Sequence, residues 1–406
     1  MNDRANLTRR ELIKFGGAAL ASAAMTGRLF AAPASGPRFL LVFLRGGYDS
    51  ANLLIPHSSS FYYESRPNIA IAKPDAASNT SALALDADWA LAPAVRESIG
   101  ALYAQRQVAF VPFAGTEDLS RSHFETQDSI ELGQPITGAR DYRSGFLGRL
   151  SEILTAPSHS SAAIAFTDAL PLTLEGGAIV PNLSLKNLGK PQFDDRQASI
   201  LRDMYAGHHL EAAVGSGLDL RQEVAQEMAE EMNAANRNAI DTKGFELEAE
   251  RMGRLMRDKY RIGFIDIGGW DTHVGEGAAQ GPLASNLSSL GRGLQVFASS
   301  LGIEWNDTVV VVISEFGRTF RENGSRGTDH GHVTVYWVLG GSINGGIIAG
   351  EQQRLARGTL FQDRDYPVLN DYRAVLGGLF RAMWGLSPNQ SAKIFAQAPA
   401  ADLRLV

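Results

Sequence analysis

Three stretches of the chain are apolar almost without interruption: "RFLLVFL" from position 38, "RIGFIDI" from 261 and "TVVVVIS" from 308. Runs of this length, rich in Val, Ile, Leu and Phe, suit strands covered on both faces. They predict strands at 38–44, within "RIGFIDI" and at 308–313. Shorter runs predict further strands at 108–112, 162–166, 170–174 and 333–340. Between them the period lengthens to that of helices: 93–105, a segment within "SRSHFETQDSIELG", 145–155, "PLASNLSSLGRGLQVFASSLG" and 371–384. From about 194 to 258 charge and methionine mix at helical spacing, which reads as a solvated outer helix pair inserted into the domain. Buried strands alternating with helices specify an α/β class, a three-layer α/β/α sandwich with a mostly parallel sheet, and one domain over 35–406.

The first 34 residues stand apart from this pattern. "LTRRELIKFGGAALASAAMTGRLFAAPASG" has a basic start, an apolar alanine-rich middle and small residues at a cleavage point, the layout of an export signal. The pair Arg9-Arg10, followed by Leu12, Ile13 and Lys14, fits the twin-arginine type, which makes the twin-arginine translocation machinery the expected partner and a periplasmic or secreted location the expected address. Cleavage after Ala34 leaves 33 basic against 42 acidic residues, a net charge of −9. That balance argues against nucleic acid as a partner. No later stretch approaches the roughly 18 apolar residues of a membrane helix. The chain contains 0 cysteines, so thiolate ligands and cysteine nucleophiles are excluded and any metal must rest on His, Asp and Glu.

The candidate chemistry lies where the apolar runs end. "GGYDS" follows the first and "GGWDTH" the second, each two glycines, an aromatic, an aspartate and a hydroxyl; "SEFGRT" ends the third. Loops at the carboxyl ends of parallel strands share one edge of a sheet, where ligands bind, so Asp49, Asp271 and Glu315 are expected to converge there. Three carboxylates in one crevice need a cation or arginines among them. His273 lies two residues from Asp271, a chelating pair in an extended loop, and "GTDHGH" adds Asp329, His330 and His332. Oxygen and imidazole donors suit zinc, manganese, magnesium or calcium. The plain alternative for each aspartate is an Asx turn or a helix cap.

In "SRSHFETQ", Ser122 and Glu125 satisfy a capping box, and a serine at a helix start is also where an attacking oxygen gains from the dipole. Ser122 and Ser120 are therefore both candidate nucleophiles, and His123 fits a base, a ligand or a surface residue equally by spacing. Arg45, Arg121 and Arg318 lie in the same loops, where they hold an anionic substrate or neutralise their neighbours.

On "FLRGGYDSANLLIP", "SRSHFETQ", "GGWDTH" and "SEFGRT…N…GTDHGH" together, the chain resembles the domain of unknown function 1501 family, twin-arginine-exported and described as sulfatase-like. The family is similar in turn to the alkaline phosphatase and sulfatase superfamily. That resemblance implies an alkaline phosphatase-like sandwich binding one or two divalent metals at the strand ends. It implies Asp49 as first-strand metal ligand, Ser120 or Ser122 at the nucleophile position, Asp271 and His273 as the central metal pair, and a later histidine from "GTDHGH". The chain departs from the pattern in having Phe316 where a ligand histidine is expected after the acid, and in lacking the Cys/Ser-x-Pro-x-Arg signal of formylglycine sulfatases.

Two readings follow. One is an exported metal-dependent hydrolase of phosphate or sulfate esters, with metal on Asp49, Asp271, His273 and Asp329 or His330, and Arg318 or Arg121 holding the anion. The other is a non-catalytic extracytoplasmic binding or assembly protein on the same fold with a degenerate metal site.

Overall fold

A computed structural model describes residues 36–155, 163–184, 195–219 and 244–406. The expected export signal, 1–34, and the middle of the 194–258 insertion lie outside the described residues. In chain order the strands are β1 (Arg38–Leu44), β2 (Leu54–Ile55), β3 (Leu83–Ala84), β4 (Ala90–Leu91), β5 (Val108–Gly115), β6 (Ala163–Ala165), β7 (Ile262–Ile267), β8 (Thr308–Ser314), β9 (Thr334–Gly340), β10 (Ile347–Ile348) and β11 (Asn370–Asp371).

Among the described residues, the main sheet runs β10-β5-β9-β8-β1-β7-β6, with β11 also beside β5. Its pairings are parallel except that β9 runs antiparallel to both β5 and β8. Alternate residues of each strand feed opposite cores. Leu40, Val42, Val310 and Val312 face one side with Leu287, Leu294 and Phe297 of the helix Pro282–Leu301. Phe39, Leu41, Val309 and Val311 face the other with Leu150 and Phe380 of the helices Phe146–Thr155 and Tyr372–Trp384. This is the expected three-layer sandwich. No helix among the described residues is long and apolar enough to cross a membrane.

Three expectations need correction. Residues 170–174 are not a strand: Pro171 leads into a short 3-10 turn, Leu172–Leu174, and the Thr173 N–H donates to the buried Glu131 carboxylate at 3.0 Å, not to a neighbouring strand. The helix over 93–105 is broken into a 3-10 turn, a wider turn at Arg96–Gly100 and a single turn at Ala101–Ala104. The far arm of the insertion is no solvated helix, because Phe245–Asp258 buries Phe245, Ala249, Met252 and Met256 in the core with the helix Pro282–Leu301. Each such methionine contributes about 1.5–3 kcal/mol of burial, which outweighs the charge on the opposite face.

The register places the site. Leu44 pairs with Ile267 on one side and Ser314 on the other, so the loops after β1, β7 and β8 leave the sheet in line. Because β9 is reversed, residues 315–333 leave and return at this same edge, and β5 ends there too, opposite Thr334.

Candidate metal centre

Close approach of the three loops depends on the glycine pair after β1. Gly46 and Gly47 have φ of +123° and +64°. A Cβ on Gly46 would lie 2.8 Å from the Asp271 nitrogen, and one on Gly47 2.5 Å from the Phe316 ring. The aromatics of the two related loops meet, Tyr48 and Trp270 packing edge to face with centroids 6.0 Å apart. Their acids part company.

Asp271 lies at the centre of a ring of imidazoles. Its Oδ1 is 3.0 Å from His273 Nε2 and 3.3 Å from His330 Nε2, and its Oδ2 is 3.6 Å from His123 Nε2. His273 Nε2 and His330 Nε2 are 3.1 Å apart. Donor atoms of His123, Asp271 and His330 all fall within 4.8 Å of one another. Two donors of a tetrahedral zinc with bonds of about 2.0–2.1 Å lie about 3.3 Å apart, close to the spacings among Asp271, His273 and His330.

The opposite ring nitrogen of each histidine faces an oxygen. His123 Nδ1 is 2.7 Å from Glu315 Oε1, His330 Nδ1 is 3.1 Å from the Arg121 carbonyl, and His273 Nδ1 is 3.4 Å from Asp329 Oδ1. Carboxylates and carbonyls only accept, so a proton on each Nδ1 would leave the Nε2 lone pairs facing inward, the tautomer that a cation among them requires. His273 Nε2 and His330 Nε2, both also close to the Asp271 carboxylate, lie at the spacing of two ligands of one cation. His123 Nε2, moreover, is buried without a hydrogen-bond partner. Imidazoles oriented by outer oxygens are the usual support of a metal site, and these residues fit one.

The local electrostatics agree. The hydrogen bond to Glu315 raises the His123 pKa. Burial, then the neighbouring His123, lowers that of His330. Burial works to raise Asp271, but the Arg318 hydrogen bond and charge outweigh it and hold the carboxyl low. Glu315 is likewise lowered against its burial by His123 and Gln127.

The remaining sequence candidates fall elsewhere. Asp49 is 1% exposed, caps the turn at Ala51 and is bound by both terminal nitrogens of the buried Arg66, so it is no ligand of this centre. His332 is buried, its Nε2 2.8 Å from the Thr116 carbonyl, and it is not among the clustered donors. Glu315 and Asp329 stand behind His123 and His273 as oxygen partners. Ser122 caps the helix His123–Leu132, its Oγ accepting from the Glu125 N–H, directly before His123 of the cluster, and Ser120 is exposed with its Oγ 3.1 Å from Thr126 Oγ1. Arg318 is buried and donates to the carbonyls of Gly46, Gly47, Trp270 and Thr328 as well as to Asp271; it ties the three loops together and has no donor left for an anion. Arg121 is held by Asp365, and Arg45 by Asp266 and Glu131.

His123 is the member of the cluster that spacing did not single out. One signal was present: β5 is a fourth apolar run, and its following loop reaches the same edge. Phe316, at the place of an expected histidine, packs its ring 4.8 Å from that of His123 and 5.1 Å from that of His330, backing both.

Among solved structures, the chain is similar to Ps i-CgsB in complex with k-i-k-neocarrahexaose, at 11% identity and a TM-score of 0.38, over 91% of this chain and 76% of that one. It is similar also to a protein in the alkaline phosphatase superfamily from Vibrio parahaemolyticus, at 11% identity and a TM-score of 0.32, over 76% of this chain and 62% of that one. Likenesses of this degree carry neither substrate nor mechanism to this chain. No curated protein matches it. The family model for proteins of unknown function DUF1501 matches residues 37–395, and the chain belongs to that family.

Proposed function

We propose that the protein is an exported metal-dependent hydrolase of phosphate or sulfate esters, holding one divalent ion on His123, Asp271, His273 and His330. The observation that carries this reading is the accessibility of the donors: the side chains of His123, His330, His273 and Asp271 are 24%, 28%, 39% and 47% exposed. Structural metal sites are closed, whereas catalytic ones keep a face for substrate. Three imidazoles and one carboxylate favour zinc or manganese over magnesium or calcium, which prefer oxygen. A bound divalent ion supplies a Lewis acid for the ester oxygen and acidifies a water. Around it, Glu315, Asp329 and the Arg121 carbonyl hold the imidazole protons outward, and Arg318 keeps Asp271 ionised. The local hydrogen bonds of Ser122 Oγ to the Glu125 N–H and of Ser120 Oγ to Thr126 favour water over either serine as the nucleophile.

The engagement of Arg318, Arg121 and Arg45 within the protein favours a second reading, a binding or assembly protein whose metal is structural. Elemental mass spectrometry of the purified mature chain, beside Asp271→Asn and His330→Ala, separates the two when joined to turnover of aryl phosphate and aryl sulfate esters. The hydrolase reading expects about one metal per chain, lost in both variants together with turnover. Stoichiometric metal with no turnover of either ester class leaves the structural reading, and metal-free wild-type protein that takes up neither zinc nor manganese removes both. Export rests on Arg9 and Arg10; replacing both with lysine is expected to retain the precursor in the cytoplasm on cell fractionation.

A further inference from the structure

One turn grips His330 from two sides. Phe361 and Asp365 pair across it, the Phe361 N–H donating to the Asp365 carbonyl at 2.8 Å and the Asp365 N–H to the Phe361 carbonyl at 3.1 Å. From this turn Arg364 Nη2 donates to the His330 carbonyl at 2.8 Å. Asp365, its side chain fully buried, accepts Nε and Nη2 of Arg121 on Oδ2 at 3.0 and 2.7 Å. Arg121 Nη2 also donates to Gln362 Oε1 at 2.8 Å. The main-chain carbonyl of the same Arg121 supplies the oxygen 3.1 Å from His330 Nδ1.

Arg121 has a φ of +52°. A side chain in the left-handed region is strained, and the conformation persists only where the surroundings impose it. Here the clamp on its own guanidinium does so. The His330 main chain is fixed independently, because the Thr319 N–H donates to the Asp329 carbonyl and the Gly331 N–H to the Gly317 carbonyl, each at 2.9 Å. Its ring lies 5.1 Å from the Phe316 ring and 4.3 Å from the His123 ring, contacts that do not select which nitrogen carries the proton. Asp271 Oδ1, 3.3 Å from Nε2, competes with the Arg121 carbonyl for the one proton of a neutral imidazole. A proton on Nε2 closes that atom to a cation, and a proton on Nδ1 opens it.

We propose that Arg121 and Asp365 are positioning residues for His330: their ion pair holds Arg121 in the left-handed conformation, so that its carbonyl keeps the imidazole proton on Nδ1 and leaves Nε2 open to a metal. The benefit to metal binding rests on the metal-centre reading; the hold on the ring does not.

The test sets Arg121→Ala against Arg121→Gly. Both delete the guanidinium, but glycine takes a positive φ without steric cost. In the metal-free full chain at about pH 8, above the ordinary histidine pKa, the tautomer of His330 is read from the imidazole nitrogen NMR shifts of histidine-labelled protein, its signal being the one absent in His330→Gln. The Nδ1-protonated share is expected to fall in Arg121→Ala and in Asp365→Asn, and to stay near wild type in Arg121→Gly. Zinc affinity, measured by competition with a chromophoric chelator, is expected to follow the same order, about tenfold weaker in Arg121→Ala. An Nδ1 share in Arg121→Ala equal to that of wild type overturns the proposal. An equal fall in Arg121→Ala and Arg121→Gly overturns the action through the left-handed backbone. Zinc bound equally by all variants, while the tautomers split as expected, overturns the benefit to the metal. Wild-type protein that takes up no zinc but shows the expected tautomer order removes the metal centre and leaves the hold on His330 standing.

Discussion

Glu315 touches no inward-facing nitrogen, yet the reading of the centre passes through it. It is fully buried, and its Oε1 accepts from the Gly46 N–H at 2.8 Å and from Gln127 Nε2 at 2.9 Å while holding His123 Nδ1. Glu315→Gln keeps the volume and an accepting oxygen but removes the charge that makes His123 a better donor to a cation. Metal affinity, measured by competition with a chromophoric chelator, is expected to fall about 10–100-fold; an unchanged affinity would place His123 outside the coordination set. Deeper in, Glu276 accepts the hydroxyls of Thr272 at 2.9 Å and Thr328 at 2.7 Å, linking the two metal loops from behind. Burial, then the charge of Asp49, raises its pKa well above the ordinary carboxyl value of 4.5. Asp49 is lowered below 3.8, because Arg66 outweighs its burial. The signs are opposite. Stability owed to Asp49 is present above its unfolded pKa and lost as pH falls through the folded one. That owed to Glu276 is complete below its unfolded pKa and lost as pH rises toward the folded one. Urea unfolding of metal-free protein is therefore expected to show a decline in stability upward from about pH 4.5 that is shallower in Glu276→Gln. Parallel profiles for the two proteins would refute the assignment.

At the scale of elements, the site is a matter of how closely loops from separate strands approach. Gly47→Ala places a methyl group against Phe316 at a positive φ and is expected to cost about 1–3 kcal/mol or more and to loosen metal binding. Gly268, the counterpart of Gly46 after β7, has nothing within 4 Å of an added Cβ and no positive φ, so Gly268→Ala is expected to be close to neutral. Denaturant midpoints of the two variants check this, and equal losses would show that the repeated glycines act through the unfolded chain instead. The same contrast explains what could be read from the sequence. β1, β7 and β8 were legible because both faces are buried and the pattern is local. Asp271, His273 and His330 were legible because strand ends share an edge. Asp49 resembled Asp271 in every local respect, and its separate fate was set by Arg66, 17 residues away, and by Thr319 and Phe320, whose carbonyls hold that guanidinium. His123 was undecided because its partner Glu315 lies 192 residues on. The 3-10 turn at Leu172–Leu174 was hidden likewise by a tertiary bond, the one from Thr173 to Glu131.

For the whole molecule, the donors of the centre come from three separate stretches of chain: the start of the helix after β5, the loop after β7 and the connection from β8 to β9. A cation that binds them all favours the folded state by mass action, about 4 kcal/mol when free metal exceeds Kd a thousandfold. The gain is local in origin. β1 and β8 pair along their full length within the sheet, whereas the loops at the carboxyl edge carry the clustered donors. Chelation is therefore expected to raise amide hydrogen exchange first in residues 116–125, 268–276 and 315–332, with β1 and β8 keeping their protection, and readdition of zinc should reverse it. Exchange that rises evenly across the sheet would mean that metal, if bound, acts on global stability from some other place. Exchange that does not change at all, in protein shown by elemental analysis to have lost its metal, would mean that Arg318 and the Glu276 hydroxyl bonds alone hold the loops together, and that the imidazoles are preorganised before any cation arrives.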